Sequence, residues 1–253
     1  MQHQKSSFSL MIKTGLTEIQ RDARTFFFTL LFPFFFLGMF AAMNFAIPPT
    51  EDMGLSFLEY LFPGILVFAL VSIGISGTTV PIVEMRSKGI LKTLKMTPLK
   101  PESFILSQIV VRFILSFFQI SIFTILGFIL GYIELGNIIP FILISLLGMM
   151  MILIFGFFFA NFFNNIEVAS GLLNALVVPL LMVSGTLLPI YIYILPDVVQ
   201  KFIYIVPFTY LTDLYHSSLF GKEGEFSNFI NIGVILSISL VFFYLTKKTF
   251  KWT

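Results

Sequence analysis

The sequence predicts an all-α polytopic membrane protein. Six transmembrane helices are expected, with a short helix on the cytoplasmic side and re-entrant helices on the outer side between the fifth and sixth spans. Three observations carry this reading. Of 253 residues, 57% are hydrophobic and only 11% charged, against roughly 25% charged in an average soluble domain. The mean hydropathy is +0.98. Apolar runs long enough to cross a bilayer, about 20 residues each, recur along the chain and are separated by short polar segments. Phe alone contributes 34 residues.

Residues 1–25 scatter Phe8, Leu10, Met11, Leu16 and Ile19 among Lys5, Lys13, Arg21 and Arg24. That mixture predicts a short helix lying in the membrane interface. It lacks the compact apolar core and small-residue cleavage site of a signal peptide, so the first apolar run is expected to remain as an anchor. The spans are expected at about 26–47, 57–83, 109–131, 138–160, 168–190 and 229–246. Pro33 is a candidate kink in the first. The second holds Pro63, Gly64, Gly74, Gly77 and Pro81 and is not expected to be a straight rod. Gly74, Ser76, Gly77 and Thr78 suit close helix packing. Arg112 opens the third span and is expected to snorkel toward the cytoplasmic surface. Gln119, deeper in the same span, is read as packing against a neighbouring helix. A short cytoplasmic turn is expected at 161–167. The region 191–228 mixes Tyr and Phe with Pro196, Asp197, Lys201, Pro207 and Asp213, which fits helices that dip into the outer interface and return. Asp213 and His216, three residues apart, are read as an interfacial hydrogen-bonded pair.

Orientation follows from Lys and Arg. With both termini in the cytoplasm, twelve fall on the inner side, and only Lys201 and Lys222 fall outside, with Arg112 near the inner side. The longest polar interruption among the first spans, 84–103, carries Arg86, Lys88, Lys92, Lys95 and Lys100. Lys88, Lys92 and Lys95 follow i, i+4, i+7 and share a helical face, while Leu91 and Leu94 lie on another. Pro98 and Pro101 are expected to stop this helix.

Several chemistries are excluded. There is no G-x-x-x-x-G-K-[ST], so the chain carries no P-loop for ATP. G-x-S-x-G, H-E-x-x-H and clustered His/Asp/Glu are missing as well. Without cysteine there are no disulfides and no thiolate metal sites. Acidic residues are nearly missing from the span interiors, which argues against a carrier coupled to an ion gradient.

Three sets of residues resemble one family. The first is Glu84-x-Arg86-x-Lys88-Gly89-Ile90-Leu91-Lys92-x-Leu94-Lys95-x-Thr97-Pro98-Leu99. The second is Ser184-Gly185-Thr186-x-x-Pro189, followed by Leu195-Pro196 and Val206-Pro207-Phe208-Thr209. The third is Arg21-Asp22-x-Arg24-x-x-Phe27 before the first span. Their order, on this topology, resembles the ABC-2 type transporter permeases from about 18 to 250, nearer the drug and peptide branch than the polysaccharide branch. The resemblance implies that 1–253 form one transmembrane domain in a bacterial plasma membrane. It implies a permease subunit of an ATP-driven exporter, with ATP and Mg bound by a separate ATPase and no cofactor in this chain. Two cytoplasmic ATPases would meet two permeases, as a homodimer or with a sister permease, among membrane lipid and without nucleic acid. Glu84, Arg86, Lys88, Gly89, Leu91, Leu94, Thr97 and Pro98 are the implied ATPase-coupling residues. Ser184, Gly185, Pro189, Pro196 and Pro207 are the implied outer gate. The family often places Arg shortly after the last proline element, where this chain has Asp213 and His216. The apolar spans suit an amphiphilic cargo such as a drug, a hydrophobic or antimicrobial peptide, or a lipid-like molecule. The alternative is a non-transporting immunity protein that captures a toxin or peptide. A membrane-embedded enzyme would need polar side chains clustered at one depth, which the sequence lacks.

Overall fold

A computed structural model describes residues 2–21, 27–44, 56–96, 101–187, 201, 203–221 and 226–249. Among them all regular structure is helical. Helix α1 is Gln2–Arg21. A π-helical turn, Phe27–Leu31, runs into α2, Phe32–Asn44. The second span is continuous from Phe57 to Ser87 but is built in three pieces: α3 (Phe57–Val71), a π-helical turn (Ser72–Ser76) and α4 (Gly77–Ser87). Then come α5 (Ile90–Lys95), α6 (Pro101–Ile129), α7 (Ile138–Phe159), α8 (Ile166–Val183), α9 (Pro207–Phe220) and α10 (Asn228–Thr249).

Among the described residues five helices are long and apolar enough to cross a membrane: Phe57–Ser87, Leu106–Ile129, Leu135–Phe159, Ile166–Val183 and Asn228–Thr249. The expected first span is helical over 27–44, and its ends at 26 and 45–47 lie outside the described residues. Phe57–Ser87 is the central helix. Of its apolar window 67% is buried inside the chain, against 17–44% in the other four.

Sterics explain its position. A Cβ on Gly74 would sit 2.5 Å from the Ile152 side chain, and one on Gly156 would sit 2.1 Å from the Gly74 carbonyl oxygen. Two glycines therefore let the second and fourth spans touch backbone to backbone. Thr79 fixes this crossing by donating to the Gly156 carbonyl at 2.8 Å. Above it lies an aromatic core in which Phe62, Phe123, Phe141 and Tyr215 bring together α3, α6, α7 and α9. Tyr215 donates to Ser145 at 2.7 Å, so its hydroxyl is satisfied inside that core.

Several expected boundaries move. The second span runs to Ser87, four residues past 83, because the first breaker is Gly89 with φ +72°. The short helix ends at Lys95, ahead of Pro98 and Pro101, and Pro101 itself starts α6, since proline fits the first turn. The third span therefore begins its helix well before 109. The fifth helix ends at Val183 because Gly185, φ +73°, terminates it; 188–190 lie outside the described residues. Helix α9 has 14 residues, about 21 Å at 1.5 Å each, too short for a hydrocarbon core of about 30 Å.

Arg112 does not snorkel. It is only 5% exposed and faces α4. Its Nε and Nη2 both donate to the Gly77 carbonyl, at 3.0 and 2.7 Å.

Candidate functional site

The Lys/Arg-rich end of the bundle gathers the residues of 84–96. Lys88 caps α4, its amide donating to the Glu84 carbonyl at 3.0 Å. Gly89 then turns the chain in a left-handed conformation that costs a Cβ-bearing residue, and its carbonyl accepts from Lys92 and Thr93 to start α5. Lys88 Nζ meets Glu84 Oε1 at 2.5 Å on the exposed face, the one ion pair among the described residues.

Arg86 points the other way. It is 9% exposed and donates from Nη1 to the carbonyls of Ala160, at 2.7 Å, and Phe163, at 3.1 Å. These carbonyls close α7, where the helix dipole and unpaired acceptors favour a cation. The 161–167 turn is held from two further sides. Asn161 donates to Thr249 on α10 at 3.2 Å. Asn165 caps α8 by accepting from the amides of Glu167 and Val168. The short polar turn and the end of the second span therefore form one body. The sequence implies Arg86 as an ATPase-coupling residue and 161–167 as a turn, without singling out Asn161 or Thr249. An Asn just past a long apolar run was the available signal.

On α5, Leu91 is buried at 1% exposure, whereas Ile90 is 42% and Met96 88% exposed. Leu91 anchors the short helix, and Ile90, Lys92, Thr93 and Met96 form the outward surface. Leu94 is helical. Thr97 and Pro98 lie outside the described residues, as do Pro189 and Pro196.

The opposite end assembles the rest of the expected signature. Ser184 and Gly185 end α8, with the Thr186 and Leu187 amides both returning to the Leu181 carbonyl at 3.2 Å. The turn is pressed onto α3 at Gly64, where a Cβ would lie 1.7 Å from the Thr186 carbonyl oxygen. Tyr60 donates to the Gly185 carbonyl at 2.9 Å. A buried hydroxyl chain then crosses to α9: Ser184 Oγ to Thr186 Oγ1 at 2.6 Å, and Thr186 Oγ1 to Thr212 Oγ1 at 2.8 Å. Ser184 and Thr212 also donate to the Leu181 and Phe208 carbonyls, so three hydroxyl protons serve four contacts and one is shared. Pro207 opens α9. His216 lies against Tyr60, rings 4.5 Å apart and Nε2 3.1 Å from the Tyr60 carbonyl, so it ties α9 to the second span. Asp213 is half-buried on the same helix, and burial holds its carboxyl up to about 6.

Among the described residues no cluster of His, Asp and Glu has the makings of a metal site. The arrangement is a set of mechanical ties between helices. A search of the curated proteins found no match. The family model for the ABC-2 type transporter matches residues 6–220, most of the chain and every element of both ends except α10. The chain belongs to the ABC-2 type transporter family and is a multi-pass membrane permease subunit of an ABC transporter, a family whose permeases work with an ATPase subunit.

Proposed function

We propose that this permease exports an amphiphilic cargo, driven by two copies of a separate cytoplasmic ATPase that meet the α5 corner. The observation that carries the reading is the union of α5, the end of the second span and the 161–167 turn through Arg86. A push on the exposed face of α5 would be passed to the second and fourth spans together. In this reading the Lys/Arg-rich end is cytoplasmic, both termini lie there, and the membrane is a bacterial plasma membrane. Two permeases, identical or sisters, enclose the path. The cargo class rests on the Phe-rich, charge-poor spans, which suit a drug, a hydrophobic peptide or a lipid-like molecule. Helix α9, too short to span, supports the re-entrant reading of 191–228.

The test is copurification. The tagged chain is extracted from native membranes in mild detergent beside Ile90→Asp. Ile90 is the cleaner probe, because Leu91→Asp would bury a carboxylate and disturb the corner itself. An ATPase in stoichiometric amount with the unaltered chain, lost with Ile90→Asp, is expected. Its absence under several gentle conditions would return the corner to an ordinary basic loop and leave passive capture of a toxin or peptide as the leading function.

A further inference from the structure

The π-helical interruption of the second span poses a hydrogen-bond problem. In an α-helix the Gly77 carbonyl would accept from the amide of residue 81. Residue 81 is proline, which has no N–H. The π-helical turn Ser72–Ser76 directly precedes this point, and the Gly77 amide reaches back to the Ser72 carbonyl, five residues earlier. A carbonyl deprived of its donor inside an apolar bundle is costly unless another group reaches it.

We propose that Arg112 is a positioning residue that stands in for the amide removed by Pro81 and so holds the junction between α3 and α4. The geometry is specific to a guanidinium. Nε and Nη2 converge on one oxygen at 3.0 and 2.7 Å. Nη1 is held by the carbonyl of Gln108, at 3.1 Å, and by its side-chain Oε1. Gln108 lies one turn earlier on α6 and orients the fork. A cation in an apolar span is thus met by carbonyl oxygens.

The two pieces joined at this π-helical turn are fixed to different neighbours. The α3 piece is fastened to the Ser184–Thr186 turn and α9 through Tyr60 and Gly64. The α4 piece is fastened to the end of α7 through Thr79 and Arg86. Arg112 sits where the two sets of ties meet. Its placement makes it the residue that sets how displacement of one end reaches the other. The junction is a property of the chain alone and does not rest on the exporter reading.

A double-variant cycle tests this on the full chain in lipid nanodiscs, with amide hydrogen exchange of peptides covering 72–87 as the readout. Arg112→Met is expected to speed exchange there about tenfold, the scale of one orphaned buried acceptor. Pro81→Ala restores an N–H for Gly77. In that background Arg112→Met should cost little, so the two changes are strongly non-additive. A merely structural arginine would be needed equally in both backgrounds, and additive effects would overturn the proposal. If Arg112→Met fails to fold, Arg112→Lys replaces it and the same non-additivity is required. Failure of both variants even with Pro81→Ala would also overturn it. The chain has no cysteine, so spin labels at Lys92→Cys and Leu135→Cys report the two ends without background. Their distance distribution should broaden with Arg112→Met and narrow again in the double variant; no narrowing counts against the proposal.

Discussion

The two ends of the second span are fastened by different chemistry. At the Lys/Arg-rich end, cationic side chains donate to backbone carbonyls: Arg86 to Ala160 and Phe163, and Arg112, further in, to Gly77. At the opposite end, glycine-permitted contact and a chain of hydroxyls do the work: Gly64 against Thr186, then Ser184, Thr186 and Thr212. Long, flexible arginines can follow a carbonyl through a displacement of an ångström or so. A Cβ-free contact and short hydroxyls cannot. Thr79 and the Gly74–Gly156 contact are short ties of the same kind between the second and fourth spans, so the comparison implies a rigid far end and a basic end where only the part held by Arg86 can shift while staying connected.

The largest expected effect falls on the rigid end. Gly64→Ala would place a Cβ 1.7 Å from the Thr186 carbonyl oxygen, so backbone must move. A loss of about 3 kcal/mol or more, or failure to fold, is expected in thermal unfolding of the purified chain. Near-normal stability would show that this end yields and would erase the contrast. Arg86→Met comes next. It leaves the end of α7 without its donor, and about 2 kcal/mol is expected, with faster hydrogen exchange confined to 157–168. Spread of that exchange to α9 would mean the two ends are one unit.

Thr186→Val and Thr212→Val should each cost about 1 kcal/mol, and together less than their sum, because they break one chain. Strict additivity would mean that the hydroxyls act separately. Asp213 supplies a pH signature for the same end. Its folded carboxyl, held up to about 6, titrates above the ordinary aspartate value near 4. Its contribution to stability is full below about 4 and is lost as pH rises through about 6. Asp213→Asn should flatten stability across that window, and an unchanged slope would sink this account. The smallest effect is Lys88→Met. The Glu84 pair is exposed, and about 0.3 kcal/mol, vanishing at high salt, is expected from denaturation at two ionic strengths.

Much of this architecture is legible in composition and spacing, and the rest has identifiable reasons for being hidden. The fourth helix, Ile138–Phe159, lies where an uninterrupted apolar run places it. Glycines and prolines at 63–81 foretold a broken second span, yet only the structure locates the π-helical turn at Ser72–Ser76. Arg112 was misjudged because snorkelling is the ordinary fate of an arginine near a span end, and the sequence does not reveal that Pro81 on another helix leaves a carbonyl for it. Leu91, which the resemblance implies as an ATPase-coupling residue, is buried in this chain, a placement its spacing on α5 does not reveal.

The sequence by itself determined the class, the greater part of the helices and the charge asymmetry between the ends. These depend on local quantities: how many apolar residues follow one another, where prolines and glycines interrupt them, and where the lysines and arginines fall. Only the tertiary structure decided which arginines face inward, which glycines touch a neighbouring backbone, and that Ser184, Thr186 and Thr212 form one chain. Those facts depend on pairs of residues far apart in the chain, such as Arg86 with Phe163 and Thr79 with Gly156, each 77 positions apart. No period in a single sequence records such pairings; they exist only once the helices have packed.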